Sequence, residues 1–442
     1  MPTAQYLDFA SRRLGPDAWW RLPTICWVVG ADTTTLQVLS AAGVVCGCLL
    51  LLDRIPGLAA SSAWLLYLSV ATAGQVFLAF QWDALLLEAG ILALAVAPWR
   101  TRAGLHRTSV VPLLPIWLLV LKLHLLSGWV KLAGGDPTWR DLTALEYHYW
   151  TTCLPVWLGW YVAQLPDVVH RASVVVMLAA ELIVPFGLFG PRRVRHAAAW
   201  TMIALQVGIA ATGNYGFFNL LTIALCVTLL DDDALGRLLS RRPRPDDPGR
   251  PGPIARGLGL AVAAVLATLV LLPLVARIGG GARLPVAARA VLEALDPLRS
   301  FNGYGLFANM TTERPEIVIE GSDDGESWQA YEFRWKPGDP ARRPPFLLLH
   351  MPRLDWQMWF AALQGYERSY WFPALLRRLL EGAPDVTQLL AHVPFSGRPP
   401  RYVRALAYDY QFASPAEHAR GLWWHRDLLG PYSPVVSVQQ GG

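Results

Sequence analysis

The chain has 442 residues, 54% of them hydrophobic and only 16% charged, with mean hydropathy +0.32 and formal net charge +5. Soluble domains carry about 25% charged residues, so composition excludes a wholly soluble protein and points most of the chain at lipid. No basic run is interleaved with aromatics as a nucleic-acid groove requires, so the basic excess marks no nucleic-acid partner. Of the 38 basic residues only Lys122, Lys131 and Lys336 are lysines, a bias that reads as the codon usage of a GC-rich, bacterial genome.

In chain order, residues 1–33 read as an N-terminal interfacial segment, because they lack the charged start, short apolar core and cleavage site of a signal peptide. A membrane-crossing helix needs roughly 20 apolar residues. That criterion predicts eight spans, at about 34–52, 58–80, 83–98, 110–131, 168–190, 194–213, 215–230 and 254–278. Residues 34–230 thus form a transmembrane bundle. A Pro- and Arg-rich cytoplasmic linker follows at 231–253, then the last transmembrane helix at 254–278. The Trp-rich stretch 153–165 is too short to cross and reads as a re-entrant or interfacial piece, since tryptophan favours the headgroup level. All five cysteines precede residue 230 and lie in or beside apolar segments, where they act as small apolar residues.

Arginine then orients the bundle. Arg54, the group Arg100, Arg102 and Arg107, the group Arg192, Arg193 and Arg195, and the run Arg237 to Arg256 all fall on one side of an eight-span chain. The positive-inside rule makes that side cytoplasmic. The opposite side receives Gln81–Asp83, the loop 132–167, the turn Gly213–Gly216 and everything after Arg277. Arg12, Arg13 and Arg21 are the one misfit.

Residues 284–430 read as a small α+β extracytoplasmic domain without cysteines. Glu316–Glu320 and Tyr331–Trp335 alternate as strands around the turn Gly321–Gly325 and predict a hairpin. Asp355–Leu363 and Phe372–Leu380 read as helices, and Arg401–Phe412 as a third strand. Deleting 284–442 is expected to abolish function while leaving the bundle in place.

Three constellations are candidates for function. Within the spans lie Glu88, Lys122, His124 and Glu181. Charges at mid-membrane cost roughly 2.5–3.5 kcal/mol each even on the lenient insertion scale, so they must pair, face a wet cavity or be neutral. Glu88 and Glu181 are the natural partners of Lys122, while His124, Ser127 and Lys131 share another face of the same helix. These residues are either interhelical glue or, in the alternative reading, a buried Lys122 or His124 base acting on a lipid-soluble substrate. The outer loop gathers Asp136, Arg140, Asp141 and His148 without the spacing of a metal motif, so no metal or cofactor is expected. Trp328, Arg353, Asp355, Trp356 and Trp359 are candidates for contact with a client protein. No nucleophile elbow, P-loop or dinucleotide fingerprint is present, and an enzyme is the less favoured reading.

Two blocks carry a family resemblance. One runs from Gln81-Trp-Asp-Ala-Leu-Leu-Leu-Glu-Ala-Gly90 through Trp139-Arg-Asp-Leu-Thr143, Tyr147-His-Tyr149 and Phe189-Gly-Pro-Arg-Arg193 to Gly213-Asn-Tyr-Gly-Phe-Phe-Asn219. The other runs from Tyr304-Gly-Leu-Phe307 through Lys336-Pro-Gly-Asp-Pro340 to Arg353-Leu-Asp-Trp-Gln-Met-Trp359. Both resemble lipase maturation factors. The bundle is more distantly similar to that of vitamin K-dependent carboxylases, where an intramembrane lysine is the base. The first resemblance implies a membrane-embedded maturation factor for exported proteins, lipases among them, with the C-terminal domain handling the client. Eukaryotic relatives act in the endoplasmic reticulum. A bacterial member would sit in the cytoplasmic membrane, among membrane lipid, with that domain in the periplasm.

Overall fold

Hydropathy divides the chain into two parts, and the two are built by different rules. The computed structural model describes residues 1–99, 110–238, 253–279, 284–395 and 397–437. Most of the expected linker, and the arginines at 100, 102 and 107, lie outside the described residues. The helical part runs through Thr3–Leu14 (α1), Thr33–Leu51 (α2), Pro56–Ala73 (α3), Gln81–Leu94 (α4), Val110–Ala133 (α5), Ala144–Thr151 (α6), Trp157–Ala163 (α7), Asp167–Leu182 (α8), Arg192–Thr212 (α9), Phe218–Val227 (α10) and Pro253–Gly279 (α11), with shorter turns between.

Among the described residues four stretches are long and apolar enough to cross a membrane: Thr33–Leu51, Val111–Ala133, Asp167–Phe189 and Arg256–Gly279. The expectation of eight spans is therefore met only in part. The other four positions do hold helices, but α4 with 14 residues and α10 with 10 fall short of a span. The helix α3 is diluted by Ser61, Ser62, Ser69 and Thr72, and α9 opens on Arg192, Arg193 and Arg195. Among the four long stretches, Val111–Ala133 is 78% buried within the protein, against 11%, 28% and 22% for the others. A helix apolar around its whole circumference belongs inside, and α5 is the axis of the bundle. That position also explains why α5 carries the polar side chains Lys122, His124, Ser127 and Lys131, each of which finds protein rather than lipid around it.

Helix starts follow local chemistry. Asp32 caps α2 by accepting the Thr35 backbone N–H at 3.0 Å, and Asp83 reaches back from the first turn of α4 to the Phe80 N–H at 3.1 Å, each satisfying a donor the helix cannot. The N-terminal helix α1 is amphipathic and buries Leu7 and Ala10; Leu7 sits in a small core with Cys26, Leu39 and Ala73.

The C-terminal part is a five-stranded antiparallel sheet of Pro315–Ser322 (β1), Gln329–Phe333 (β2), Leu390–His392 (β3), Tyr402–Phe412 (β4) and Trp424–Ser437 (β5), in the order β3-β2-β1-β4-β5. The expected hairpin is present as β1–β2. Its turn is set by Asp324, which accepts the Glu326 and Ser327 N–H groups at 2.8 Å each, and by Gly325 at φ +80, a backbone conformation that favours glycine. Alternation along β1 turns Ile317 and Ile319 to one face. There they pack with Val403 and Ala405 of β4 beneath Arg353–Gln364 (α12) and Phe372–Leu380 (α13) through Met358, Phe372 and Leu376. Two strands escape the sequence reading. β3 has only three residues, and β5 contains Gly430, Pro431 and Pro434, which sequence patterns treat as breakers but which an edge strand tolerates.

The two parts share one core. The main apolar cluster runs from Phe80, Trp82 and Leu119 of the helical part into Tyr304, Leu347 and Trp356 of the sheet part.

Candidate functional site at the seam between bundle and sheet

Gln81–Asp83, the 132–167 loop and the Gly213–Gly216 turn each contact the part of the chain after Arg277. Asp83 accepts both guanidinium nitrogens of Arg353 at 2.7 Å and the Tyr67 hydroxyl at 2.6 Å. The Trp139 indole donates to the Phe307 carbonyl at 2.9 Å. Asn214 holds the Leu347 N–H through its oxygen at 2.9 Å and the Pro345 carbonyl through its nitrogen at 3.0 Å. Trp160 of α7 donates to the Ala413 carbonyl at 2.8 Å, which roots the short Trp-rich piece in the sheet domain.

Burial of charge is concentrated at this seam. Lys122 and Glu88 are both fully buried and meet at 2.5 Å, while the second Glu88 oxygen accepts the Tyr304 hydroxyl at 2.6 Å. The Lys122 ammonium also lies 5.2 Å from the Tyr304 ring centroid, within reach of a cation–π attraction. Of the two carboxylates expected at Lys122, only Glu88 is its partner. Glu181 instead grips Lys131 with both oxygens, at 2.7 and 2.8 Å. Lys131 is nine positions further along α5, so position along that helix, not residue type, decides the pairing.

Arg314 is a residue of the seam that the sequence reading missed. It is fully buried, and its guanidinium donates to the Trp150 and Cys153 carbonyls at 2.9 Å each, to the Thr152 carbonyl, and to Glu316 at 2.6 Å. The carbonyls at a helix C-terminus have no partner within the helix; here an arginine from the sheet domain supplies donors at the end of α6 and just past it.

The client-contact candidates fall in different settings. Arg353 is committed to Asp83. Asp355 is buried and accepts the Trp335 and Lys336 N–H groups at 2.9 Å. Trp356 is buried against Phe80 and Trp82, and Trp359 is half-buried with its indole on the Thr151 carbonyl. Trp328 stands apart, half-buried on the sheet with the Arg404 guanidinium 4.0 Å above its ring. The outer-loop set divides similarly. Asp136 caps Pro137–Arg140 through Thr138 and accepts the Met310 N–H at 2.5 Å, Arg140 and Asp141 are exposed, and His148 turns inward to the Tyr215 hydroxyl at 2.9 Å. Among the described residues no three His, Cys, Asp or Glu side chains gather as a metal would need.

His148 lines a cavity together with His124, Lys131 and Glu181; Lys122 does not, as helical spacing predicts. Burial, helped by the nearby Lys131 charge, pushes the His148 imidazole down to about 4. Between the usual histidine value near 6.5 and that lowered value, the unfolded chain binds the proton and the folded one does not. Stability is therefore expected to be complete above pH 6.5 and to fall as the pH drops towards 4. Thermal unfolding of the purified protein between pH 4 and 7.5 checks this, with His148→Gln expected to flatten the profile.

A helical region with membrane-crossing stretches, joined to an α+β domain by the Asp83–Arg353 ion pair, hydrogen bonds and a shared apolar core, defines the class of protein. Residues 1–237 match the lipase maturation factor transmembrane domain, and residues 300–434 the lipase maturation factor C-terminal domain. The chain belongs to the lipase maturation factor family. It is 36% identical to lipase maturation factor 2 of Rattus norvegicus, covering 95% of this chain and 76% of that protein. Against lipase maturation factor 2 of Homo sapiens the identity is 36%, with 95% and 75% covered. Against lipase maturation factor 1 of Bos taurus it is 32%, with 99% and 83% covered. No solved structure matches.

Proposed function

We propose that this protein is an integral-membrane factor that assists the maturation of exported lipases, with the sheet domain on the outer, periplasmic side of a bacterial cytoplasmic membrane. The observation that carries the reading is that both halves match the family and that the buried seam joins them into one unit. A folding exported chain exposes apolar surface and unpaired strand edges. The sheet domain offers Leu428 and Leu429, about 60% exposed, on its outer strand β5, and the half-buried Trp328 beneath the Arg404 guanidinium; edge strands and exposed apolar side chains are what a partly folded chain can pair with. Trp328 is the client-contact residue retained from the sequence reading; Arg353, Trp356 and Trp359 support it by holding the domain on the bundle, and Asp355 by tying Trp335 and Lys336 within the domain.

The alternative of an intramembrane base is not favoured. Lys122 is neutralised by Glu88 and covered by Tyr304, and it lines neither the cavity beside α5 nor the one between α2, α3 and α4. The test is the activity per mass of lipase exported by a strain lacking this protein. Specific activity is expected to fall severalfold and to be restored by the wild-type gene, with Trp328→Ala restoring it only in part. Unchanged lipase activity in the deletion strain would remove the lipase client from the reading.

A further inference from the structure

The cavity beside α5 has a volume of about 300 Å³, at the lower limit of small-molecule pockets, which run from roughly 300 to 1,000 Å³. Its walls are mostly apolar, from Leu123, Met177, Leu205, Ile209 and Phe218. Two polar atoms at its lining are left unanswered. His124 places Nδ1 at 2.9 Å from the Val120 carbonyl. A carbonyl only accepts, so Nδ1 carries the proton and Nε2 is a bare acceptor. That Nε2 is buried and has no partner among the described residues, on a side chain only 2% exposed. His148 repeats the pattern: Nε2 meets the Tyr215 hydroxyl, and Nδ1 is buried without a partner.

Several of the other polar groups lining the cavity are already engaged. Lys131 holds Glu181, the Asn219 amide donates to Gln206 at 2.8 Å, and Ser127 donates to the Leu123 carbonyl at 2.7 Å. The ammonium is matched by a carboxylate, so the cavity carries no net charge and selects against an ionised ligand. Buried polar atoms without partners call for an explanation, and two of them around one apolar cavity share a single one.

The cavity also has a mouth. Ser173 of α8 and Gly208 of α9 line it, and Gly208 is exposed. A Cβ added at Gly208 would meet nothing within 4 Å. Val175, Val176 and Val207, on the same two helices, face outward, so the mouth opens onto an apolar outer surface.

We propose that this cavity binds a neutral single-chain lipid with free hydroxyls, of the monoacylglycerol class. A head-group hydroxyl donates to His124 Nε2, the glycerol oxygens reach His148, and the acyl chain leaves between α8 and α9 into the bilayer. The site is binding, not chemistry, and it stands whichever client the protein serves.

The experiment uses the full-length protein in nanodiscs and a monoacylglycerol carrying a diazirine on its acyl chain, with crosslinks mapped by peptide mass spectrometry. Labelling is expected within 173–177 and 205–212, displaced by unlabelled monoacylglycerol. His124→Phe, which keeps a ring but loses the acceptor, is expected to reduce it tenfold or more. Gly208→Trp, at the mouth where it touches no neighbour, is expected to reduce it as well. Equal labelling by the same chain bearing a carboxylate would overturn the proposal. So would labelling unchanged in His124→Phe, or crosslinks absent or scattered over the lipid-facing surface as for a water-filled void. Should His124→Phe fail to fold, unchanged labelling in Gly208→Trp overturns it alone.

Discussion

Lys122→Met is expected to remove about 3–5 kcal/mol of folding stability, because it strands the Glu88 carboxylate, wholly buried, with only the Tyr304 hydroxyl and the Asn302 N–H for company. Glu88→Leu is expected to be as damaging, by stranding the ammonium. The double variant Lys122→Met with Glu88→Leu is expected to recover most of the loss, since a buried pair exchanged for apolar side chains of similar volume is often neutral or better. Folded yield in the membrane fraction and thermal unfolding in detergent measure all three. Lipase maturation by the double variant separates glue from chemistry: full activity means that the lysine never acts as a base.

Arg314 provides the second large effect. Arg314→Leu leaves three carbonyls between Trp150 and Cys153 without their donor and leaves Glu316 to Lys336 alone, 2.9 Å away. A loss of about 3–5 kcal/mol is expected, with protease cleavage appearing between 130 and 170 as the outer loop comes free. Arg314→Lys is expected to recover little of it, because an ammonium cannot reproduce a planar fork that spans several acceptors. Limited proteolysis with and without each substitution reads this directly.

The two effects also mark where the sequence was legible. Helical spacing alone places His124, Ser127 and Lys131 on one face and Lys122 on another, because a single helix fixes those angles. The β1–β2 hairpin follows from alternation and from an Asp/Gly turn whose chemistry is local. The pairing of Glu181 with Lys131 is not local. It depends on how far α8 is shifted along α5, and no residue of either helix states that shift. Arg314 is invisible for a different reason: its main partners are backbone carbonyls, which every residue has. β5 is hidden by Gly430, Pro431 and Pro434, which forbid a central strand but not an edge.

The expectation that the bundle survives loss of residues 284–442 is revised on the same grounds. Such a deletion removes Tyr304 from Glu88 and Arg353 from Asp83, so bundle stability is expected to fall along with function. Membrane span number is the other revision. Residues such as Ser69 and Thr72 dilute α3 below the apolarity of a free-standing span, yet both side chains are buried in the protein, where polar groups do not meet lipid.

The Glu88–Tyr304 bond links residues 216 positions apart, and translation adds about 5–20 residues per second. Glu88 therefore waits roughly 10–40 s after its own synthesis for the phenol of Tyr304, and Asp83 waits longer for Arg353. During that interval Glu88 and Asp83 lack the partners that define their mature surroundings. A chain that ends before the sheet domain keeps Glu88 and Asp83 without their Tyr304 and Arg353 partners. The factor that finishes other proteins is itself finished last at its own centre.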